Sequence, residues 1–214
     1  IIIFLLSVTA SHADSAEPAE LVWSHPAQWY VNVVLPFSDI TGDGIREVFA
    51  GASDNYIYCL DGNEFSAPRL LWSSEVAGDI WSLAGINDVN GDSYNDCLAG
   101  AADNTVYCFS GNLADSGQVL FVHAAQGDVW TLESITDVNA DGIEDVLAGT
   151  ADNTLYCLSG KSSGTAQVLW QFGVDGDIWD VVSVNDLDGD GTTDCFMGAA
   201  DDHVYALSGK PGNQ

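Results

Sequence analysis

Positive charge is what this sequence lacks most. Its 214 residues include 4 Lys+Arg against 32 Asp+Glu, which gives a formal net charge of −28. A chain with this much negative charge repels nucleic acid and anionic membrane surfaces, which argues against both as partners. Because 47% of the residues are hydrophobic, the chain is able to bury a core and is not a disordered acidic tail. The composition therefore favours a folded protein whose partners or surroundings supply cations.

Long apolar runs are also scarce, and only the N-terminus carries one. Residues 1–13, IIIFLLSVTASHA, are typical of the hydrophobic region and small-residue cleavage site of a secretory signal peptide, with residues 14–20 as a short linker. A buried N-terminal strand is the alternative. The initiator Met and a basic leading segment are missing, so we expect the sequence to begin inside its reading frame. No other stretch approaches the ~18 apolar residues of a membrane span. Because of the signal peptide, we expect a secreted or cell-surface protein.

Catalytic and redox motifs are absent from the sequence. There is no Gly-x-Ser-x-Gly and no Cys-x-x-Cys, and the histidines share no spacing with a nucleophile. Only four basic residues exist to bind the carboxylates of a cofactor or to stabilise the intermediate of a polysaccharide lyase: Arg46, Arg69, Lys161 and Lys210. We therefore expect that the protein is not an enzyme.

The most informative feature that is present is a repeat of 49 residues. Trp23, Trp72, Phe121 and Trp170 are spaced by 49 residues, and so are the four aspartates that open the acidic loops described below. The copies, at about 21–69, 70–118, 119–167 and 168–214, follow one another without a gap. Residues 21–214 thus form one repeat array and not several unrelated domains.

Each copy has the pattern of four short strands. In the second copy, apolar segments at 70–72, 79–86, 96–101 and 105–111 read as strands, and Asn104 suits the positive-φ position of a tight hairpin. No copy contains an amphipathic stretch of helical length. The sequence therefore predicts an all-β fold, a β-propeller of four 49-residue, four-stranded blades. A β-solenoid is the main alternative, although its rungs are usually shorter.

The five cysteines cannot all pair internally because their number is odd. Cys59, Cys108 and Cys157 share one blade position, which predicts a small buried slot. Cys97 lies across the predicted hairpin from Cys108 and is a candidate to pair with it. Cys157 and Cys195 are candidates to bridge neighbouring blades, and buried thiols are the alternative for all five.

One acidic segment recurs in every copy. It lies at residues 39–47, 88–96, 137–145 and 186–194, which we call loops 1 to 4. Oxygen-bearing side chains occupy positions 1, 3, 5 and 9, and position 7 is variable, as expected of a residue that offers its backbone carbonyl. The predicted metal ligands are Asp39, Thr41, Asp43, Ile45 and Glu47; Asp88, Asn90, Asp92, Tyr94 and Asp96; Asp137, Asn139, Asp141, Ile143 and Asp145; and Asp186, Asp188, Asp190, Thr192 and Asp194.

Such a ring of oxygens suits Ca²⁺, which takes 6–8 oxygen ligands in a flexible cage. Gly44, Gly142 and Gly191 at position 6 allow a sharp turn, whereas Ser93 departs from this pattern. The last acid stands at position 9 and strands flank the loop, so the loop is not an EF-hand. Four acidic turns without metal are the alternative, which the repulsion among the carboxylates disfavours. We expect up to four structural calcium ions.

The acidic loops and the residues that follow them resemble a known family. The D-x-[DN]-x-D-G-x-x-D loop, followed in the third copy by VLAGTADNTLYCLSG, resembles the FG-GAP/VCBS-type repeat β-propellers with integrin-α-like calcium-binding loops, over about residues 21–214. The resemblance implies that each loop joins an inner strand to the second strand, on the face opposite the usual ligand surface. It also implies that LSGKSSGTAQVLW (158–170) is similar to the docking segment of quinoprotein-like propellers.

The number of blades stays open. The segment LVW (21–23) could complete the last blade and close a four-bladed ring. The sequence is also compatible with a piece of a seven- or eight-bladed propeller, which we favour because small rings are uncommon in the family that it resembles.

The opposite rim carries a second repeated pattern, Gly-Asp-[Ile/Val]-Trp. Its candidate ligand-face residues are Asp79, Trp81, Asp128, Trp130, Asp177 and Trp179. An indole beside a carboxylate suits a sugar ligand. The alternative, which we favour, is that the tryptophans wedge between blades and the aspartates cap turns.

Together these features predict a calcium-binding propeller that serves as a binding or adhesion scaffold for an extracellular protein or glycan. The alternative is the propeller portion of a carbohydrate-active enzyme (polysaccharide lyase-like) or of a quinoprotein-like protein.

Overall fold

The computed structural model describes residues 21–63 and 69–210. The predicted signal peptide, 1–13, and linker, 14–20, lie outside the described residues. In the part of the chain that is described, no helix has the length and apolarity needed to cross a bilayer.

The described residues form sixteen strands and one short 3-10 turn at Leu113–Asp115. The strands are β1 (Val31–Pro36), β2 (Val48–Ala52), β3 (Tyr56–Leu60), β4 (Leu70–Glu75), β5 (Ile80–Ile86), β6 (Asp96–Ala101), β7 (Thr105–Phe109), β8 (Val119–Ala124), β9 (Val129–Ile135), β10 (Asp145–Thr150), β11 (Thr154–Leu158), β12 (Gly164–Thr165), β13 (Val168–Gly173), β14 (Ile178–Val184), β15 (Asp194–Ala199) and β16 (Val204–Leu207).

These strands form four sheets, which are the blades of a β-propeller. In spatial order, blade 1 is β1-β2-β3-β4, blade 2 is β5-β6-β7-β8, blade 3 is β9-β10-β11-β13 and blade 4 is β14-β15-β16. Strands within a blade are antiparallel, and β12 joins the outer edge of blade 2 by pairing parallel with β8. The first strands of the blades, β1, β5, β9 and β14, contact one another in turn, and we call them the inner strands. The predicted all-β propeller is confirmed, with three strands in blade 4 among the described residues.

Blades and sequence repeats are offset by one strand. Strand β4 opens the second copy of the repeat, yet it pairs with β3 of blade 1 and places Trp72 opposite Cys59. In the same way β13 pairs with β11 of blade 3 and places Trp170 opposite Cys157. The second, third and fourth copies therefore each supply the outer strand of the preceding blade, and hydrogen bonds join consecutive copies.

The middle strands are buried on both faces. Every residue of β6 (DCLAGA) and of β10 (DVLAGT) is buried. Because a blade packs against neighbours on both sides, its middle strands are apolar or small throughout instead of alternating. The hairpins that follow turn at Asn55, Asn104 and Asn153, each with φ near +67°, as the sequence predicted for Asn104.

Neighbouring blades share apolar cores. Between blades 1 and 2 the rings of Trp72 and Phe109 pack together, with centroids 6.2 Å apart. Between blades 3 and 4, Leu147 and Ile178 belong to one core. Fully burying one such side chain contributes roughly 1.5–3 kcal/mol, so these junctions supply much of the stability of the fold. Glycine allows the closest approach, because a Cβ at Gly149 would lie 2.6 Å from Ile178 Cγ2.

Segments that follow the third strand of a blade dock on the preceding blade. Gly117, with φ +76°, lies against the indole of Trp72, where a Cβ would be 2.6 Å from Cε3. The amide of Ala166 donates to the carbonyl of Val122 at 2.8 Å, beside the β12–β8 pairing. The docking that the resemblance implies for residues 158–170 is thus present.

All five cysteines lie among the described residues and carry free, buried thiols. The predicted pairing of Cys97 with Cys108 is wrong, because Cys108 stands opposite Leu98 and so points to the other face of blade 2 from Cys97. Cys157 and Cys195 share the core between blades 3 and 4 without a bond. Burial raises the pKa of all five thiols, which keeps them protonated and unreactive.

The segment before blade 1 does not complete blade 4 within the chain. Residues 21–27 form no strand, and β16 pairs with β15 alone among the described residues. Trp23 packs instead on blade 1, against the cluster that contains Tyr58 and Leu60.

Candidate metal centre

The four acidic loops lie at the same end of their blades. Each begins within three residues of the end of an inner strand and leads into the second strand, as loop 2 does between β5 (Ile80–Ile86) and β6 (Asp96–Ala101). This is the connection that the resemblance implies. The repeat therefore places four similar sets of oxygen donors along one rim of the propeller.

The first aspartate of each loop organises the turn. Asp39 accepts the amides of Gly42 and Gly44 at 2.7 Å each, one with either carboxylate oxygen. Asp186 does the same in loop 4, with Gly189 at 2.6 Å and Gly191 at 2.9 Å. The amide of Gly44, ahead of the other donors, lowers the pKa of Asp39, and that of Gly191 lowers the pKa of Asp186. Both carboxylates are ionised and hold the backbone in a tight curve.

The last acid of each loop is buried beneath it. Asp145 accepts the amide of Val138 within loop 3 at 2.8 Å and the amide of Gly160, after β11, at 3.2 Å. Burial raises the pKa of Asp145 to about 6, despite these hydrogen bonds, and Asp96 in loop 2 is shifted to about 6 in the same way. This acid therefore joins the loop to the turn after the third strand, besides offering lone pairs to an ion.

Loop 4 brings its acids closest together. One carboxylate oxygen each from Asp186, Asp188 and Asp194 lies within 4.8 Å of the others. Ligands on opposite sides of a calcium ion are up to about 5 Å apart, since Ca–O distances are about 2.3–2.6 Å. The donor set of loop 4 thus fits Ca²⁺, and within the described parts of the chain it is the only such cluster of three acids.

The other predicted ligands are arranged differently. Asp190 stands outside the cluster, where its carboxylate accepts the amide of Thr192 at 2.8 Å. In loops 2 and 3 the position-3 amide group turns toward the position-5 acid, with Asn90 Nδ2 3.1 Å from Asp92 and Asn139 Nδ2 2.9 Å from Asp141. In these two loops hydrogen bonds hold the position-3 and position-5 side chains together.

Loop 1 departs furthest from the pattern. Thr41 Oγ1 lies 3.4 Å from the Asp39 carboxylate, and the Glu47 carboxylate accepts the amides of Ile40 and Thr41 at 3.0 and 3.1 Å. Asp43 accepts from Asn63 Nδ2 at 2.7 Å.

The position-7 residues contribute no side-chain ligand. The side chains of Ile45 and Tyr94 are exposed, while those of Ile143 and Thr192 are half-buried. In all four loops the position-7 amide donates to the position-5 carboxylate at 2.7–3.0 Å.

Position 6 requires the left-handed backbone, as the glycines predicted. Gly44, Gly142 and Gly191 have φ between +88° and +95°. Ser93 takes the same conformation in loop 2, with φ +75°, which a residue with a Cβ adopts only with strain.

One cation that sequence reasoning missed belongs to loop 3. Lys161 donates from Nζ to the carbonyl of Asp141 at 2.7 Å. Because Lys161 follows β11 by three residues, only its place in the turn after the third strand brings it to this loop. Loop 3 is thereby partly neutralised by the chain itself.

The tryptophans of the opposite rim pack against one another with their ring planes tilted. Trp81 and Trp130 have ring centroids 5.4 Å apart, and Trp130 and Trp179 5.5 Å apart. They stand near the start of successive inner strands, and the acidic loops follow the other end, roughly 20 Å away along a seven-residue strand. Trp81 and Trp130 are half-buried, whereas Trp179 is 54% exposed. Trp81 and Trp130 contact each other from neighbouring blades, and of these three tryptophans Trp179 is the one with an open indole.

The aspartates of this rim act through their backbone. The carbonyls of Asp79, Asp128 and Asp177 accept the amides of Ala102, Ala151 and Ala200 at 2.8–2.9 Å. The expected turn-capping is therefore made by main-chain atoms, and the three half-buried carboxylates remain available beside the tryptophans.

Comparisons with known proteins agree with the repeat and with the propeller fold described above. Residues 137–197, which contain loops 3 and 4, match the FG-GAP-like repeat family. Over these residues the chain is similar to an FG-GAP-like repeat. The predicted family resemblance is confirmed over this stretch, and no curated protein matches the chain.

Solved structures show the same fold in other proteins. The structure of BBS1N in complex with ARL6DN, soaked with mercury, superposes with a TM-score of 0.63 at 6% identity over 87% of this chain and 53% of that one. The lead-soaked structure of the same complex gives 0.57 at 10% identity, over 86% and 54%. The chain spans about half the length of these solved chains, and at such identities the likeness concerns the propeller fold alone.

A further set of structural residues in the repeat array was missed from the sequence. In each blade the hydroxyl of a tyrosine donates to the aspartate of the hairpin four residues earlier, as Tyr58 does to Asp54 at 2.7 Å and Tyr156 to Asp152 at 2.9 Å. Desolvation alone would raise the pKa of Asp152, but hydrogen bonds from Thr150, Gln126 and Tyr156 outweigh it and lower the pKa. The recurring spacing Asp-[Asn/Asp]-x-x-Tyr was the available signal.

Proposed function

We propose that this protein is a secreted or cell-surface, calcium-binding β-propeller that serves as a non-enzymatic binding or adhesion scaffold. Up to four calcium ions would have a structural role, one in each acidic loop. The observation that carries the proposal is the cluster of Asp186, Asp188 and Asp194 within 4.8 Å, in a loop whose pattern recurs in all four blades.

Electrostatics supports calcium in these loops. Carboxylates this close repel one another, and the chain has few basic residues to neutralise them. In loop 4, Asp186 also curves the backbone through the amides of Gly189 and Gly191, and Asp194 accepts the amide of Gly209 at 3.0 Å. A bound ion would supply positive charge to a loop that these two residues already hold in shape, so its binding free energy adds to the stability of the fold.

A role in binding is supported by the architecture. The acidic loops occupy one rim, which leaves the rim of Trp179 and the neighbouring hairpins for a ligand. The BBS1N propeller was crystallised in complex with ARL6DN, so a related fold is known to hold a protein partner. We propose an extracellular protein or glycan as the ligand of the tryptophan rim.

Calcium binding is tested by isothermal titration and by thermal unfolding in millimolar calcium and in chelator. We expect calcium to raise the melting temperature, because it neutralises the repelling carboxylates. Asp186→Asn should remove one ion from the stoichiometry and reduce this increase, because an aspartate stands at this position in all four loops. Asp202→Asn makes the same charge change at an exposed hairpin on the opposite rim, and should leave the calcium-dependent increase intact. An identical melting temperature in calcium and chelator would show that the loops are metal-free turns.

The scaffold role is tested on arrays of glycans and extracellular matrix proteins, probed with and without calcium. We expect calcium-dependent binding to one ligand class, and at least a tenfold weaker signal for Trp179→Ala, since an exposed aromatic anchor commonly contributes at least that much. Phe172→Ala, which changes an exposed aromatic residue on the outer strand of blade 3, is the matched control. Binding that Trp179→Ala leaves unchanged would place the ligand elsewhere.

A further inference from the structure

The few basic residues of the chain include two that share one place in the repeat. Lys161 and Lys210 are 49 residues apart, and each follows the glycine that comes after the third strand of its blade. Blades 1 and 2 have Asn63 and Asn112 at this place. The turn after the third strand is bonded to the acidic loop of the same blade, so the repeat places a lysine beside loops 3 and 4.

The main chain holds Lys161 next to loop 3. The amide of Gly160, the residue before it, donates to the Asp145 carboxylate at 3.2 Å. On the other side, the hydroxyl of Ser162 donates to the carbonyl of Ser159 at 2.7 Å. Because both neighbours of the lysine are hydrogen-bonded, its side chain starts from a fixed point beside the loop.

The ammonium group of this lysine bonds the position-5 residue of loop 3. Lys161 Nζ donates to the carbonyl of Asp141 at 2.7 Å. The carboxylate of Asp141 accepts Asn139 Nδ2 at 2.9 Å and the hydroxyl of Ser159 at 3.1 Å. It also accepts the amide of Ile143 at 3.0 Å. The chain therefore supplies a full positive charge and further hydrogen-bond donors to a residue that is predicted to bind calcium.

Loop 4 is arranged differently. One carboxylate oxygen from each of Asp186, Asp188 and Asp194 lies within 4.8 Å of the others, whereas the described acids of loop 3 form no such group. Among the described residues, no hydrogen bond joins the Lys210 ammonium to loop 4, although the Lys210 amide donates to Ser208 at 3.3 Å. The two lysines share a place in the repeat, but only Lys161 is bonded to its loop.

We propose that Lys161 is a built-in counter-ion of loop 3 and competes with calcium for this loop. Loop 3 keeps its shape without the ion and binds calcium more weakly than loop 4, because a positive charge held at the loop repels a divalent ion. Over an intermediate range of calcium concentration, loop 4 is occupied while loop 3 relies on the lysine. This inference rests on the proposed function and makes the four loops unequal in calcium affinity.

Two glycine amides report on these loops separately. The amide of Gly142 donates to Asp137 at 2.7 Å in loop 3, and that of Gly191 donates to Asp186 at 2.9 Å in loop 4. A calcium titration of the isotope-labelled full chain, followed by NMR at these two amides, therefore gives one midpoint for each loop. We expect the Gly191 amide to respond at a lower calcium concentration than the Gly142 amide.

Removing the lysine charge should convert loop 3 into a tighter calcium site. We expect Lys161→Gln to lower the calcium midpoint at Gly142 about tenfold, the effect of a unit charge near a divalent ion at an exposed site. In chelator the Gly142 amide of this variant should exchange its hydrogen faster, since the loop has lost its counter-ion. Lys161→Arg keeps the charge and should keep a midpoint close to that of the wild type.

The repeat supplies the matched control. Lys210→Gln makes the same charge change at the same place of blade 4, where the ammonium group has no bond to its loop. It should shift the midpoint at Gly191 by less than about twofold, because salt screens an exposed charge that makes no direct contact.

The outcomes separate this inference from the proposed function. Equal midpoints at Gly142 and Gly191, or an unchanged Gly142 midpoint in Lys161→Gln, would overturn the inference and leave calcium binding in place. An equal gain from Lys210→Gln at its own loop would also overturn it, because net charge and not the contact would then explain the effect. If neither amide responded to millimolar calcium, the proposed calcium function would fail together with this inference.

Discussion

At the scale of single residues, the acidic loops depend on left-handed backbone positions. Positions 4 and 6 of loop 4 are Gly189 and Gly191, with φ +83° and +88°. Loop 2 has Ser93 at position 6, and loop 3 has Ala140 at position 4, with φ +75° and +61°. A residue with a Cβ is strained there, so loops 2 and 3 each keep one unfavourable conformation that loop 4 avoids.

Replacing the strained serine should stabilise the protein. We expect Ser93→Gly to raise the free energy of unfolding by about 0.5–1 kcal/mol, because relief of the strain exceeds the entropy that glycine loses on folding. The amide of residue 93 still donates to Asp88, at 2.7 Å in the present structure. Chemical denaturation in calcium and in chelator provides the measurement.

The equivalent position of loop 3 supplies the reverse experiment. Gly142→Ser introduces the strain that loop 2 already has, so it should lower the stability by a similar amount, since no atom lies within 4 Å to obstruct the side chain. If both substitutions were neutral, the backbone at position 6 would not be strained.

At the scale of strands and blades, close glycine contacts set the spacing between sheets. Gly149 of β10 faces Ile178 of the next inner strand, and Gly100 faces Val129 in the same way. Such contacts leave no room for a methyl group, because the β-branched side chain opposite each glycine is held in a packed sheet and cannot move away.

Adding that methyl group should loosen a junction. We expect Gly149→Ala to destabilise the protein by about 1–3 kcal/mol, the usual effect of overpacking a core, as measured by thermal and chemical unfolding. Gly173→Ala in the outer strand of the same blade meets no atom within 4 Å and should be neutral or slightly stabilising. Equal effects at the two positions would contradict this account of the junction.

The positions of the strands were predictable from the sequence to within a few residues, whereas the pairing between strands was not. The segments predicted at 79–86 and 96–101 are β5 (Ile80–Ile86) and β6 (Asp96–Ala101). A local apolar pattern reveals a strand, but which edge that strand joins depends on packing between distant residues. For this reason the assignment of β4 to blade 1, the opposite orientation of Cys97 and Cys108, and the contact of Lys161 with loop 3 required the structure.

The sequence predicted which residues belong to the candidate site better than it predicted how they are arranged. Spacing alone identified Asp186, Asp188 and Asp194 as members of one loop, and the structure brings these three together. Spacing did not indicate that the last acid is buried and bonded to the turn after the third strand, as Asp194 is to Gly209. Such a tie joins residues 15 apart across a blade, beyond the range of a loop motif.

At the scale of the whole molecule, negative charge and the repeat act together. A chain with formal net charge −28 is destabilised by self-repulsion, and the repeat concentrates part of this charge in four loops along one rim. The tryptophan rim carries acids as well, because each hairpin adds an aspartate to Asp79, Asp128 and Asp177: Asp54, Asp103, Asp152 and Asp201. Each of these hairpin aspartates accepts a hydrogen bond from a tyrosine hydroxyl, so the two rims differ in how their acids are arranged and not in the sign of their charge.

The one-strand offset between copies and blades bears on how such an array grows. A newly duplicated 49-residue copy would donate its first strand to the sheet before it and receive an outer strand from the copy after it. Its insertion between two existing copies would leave no hydrogen-bonding edge unmatched. Lengthening of the gene by whole copies is thus compatible with folding at each step, whereas a duplication of any other length would break the ladder.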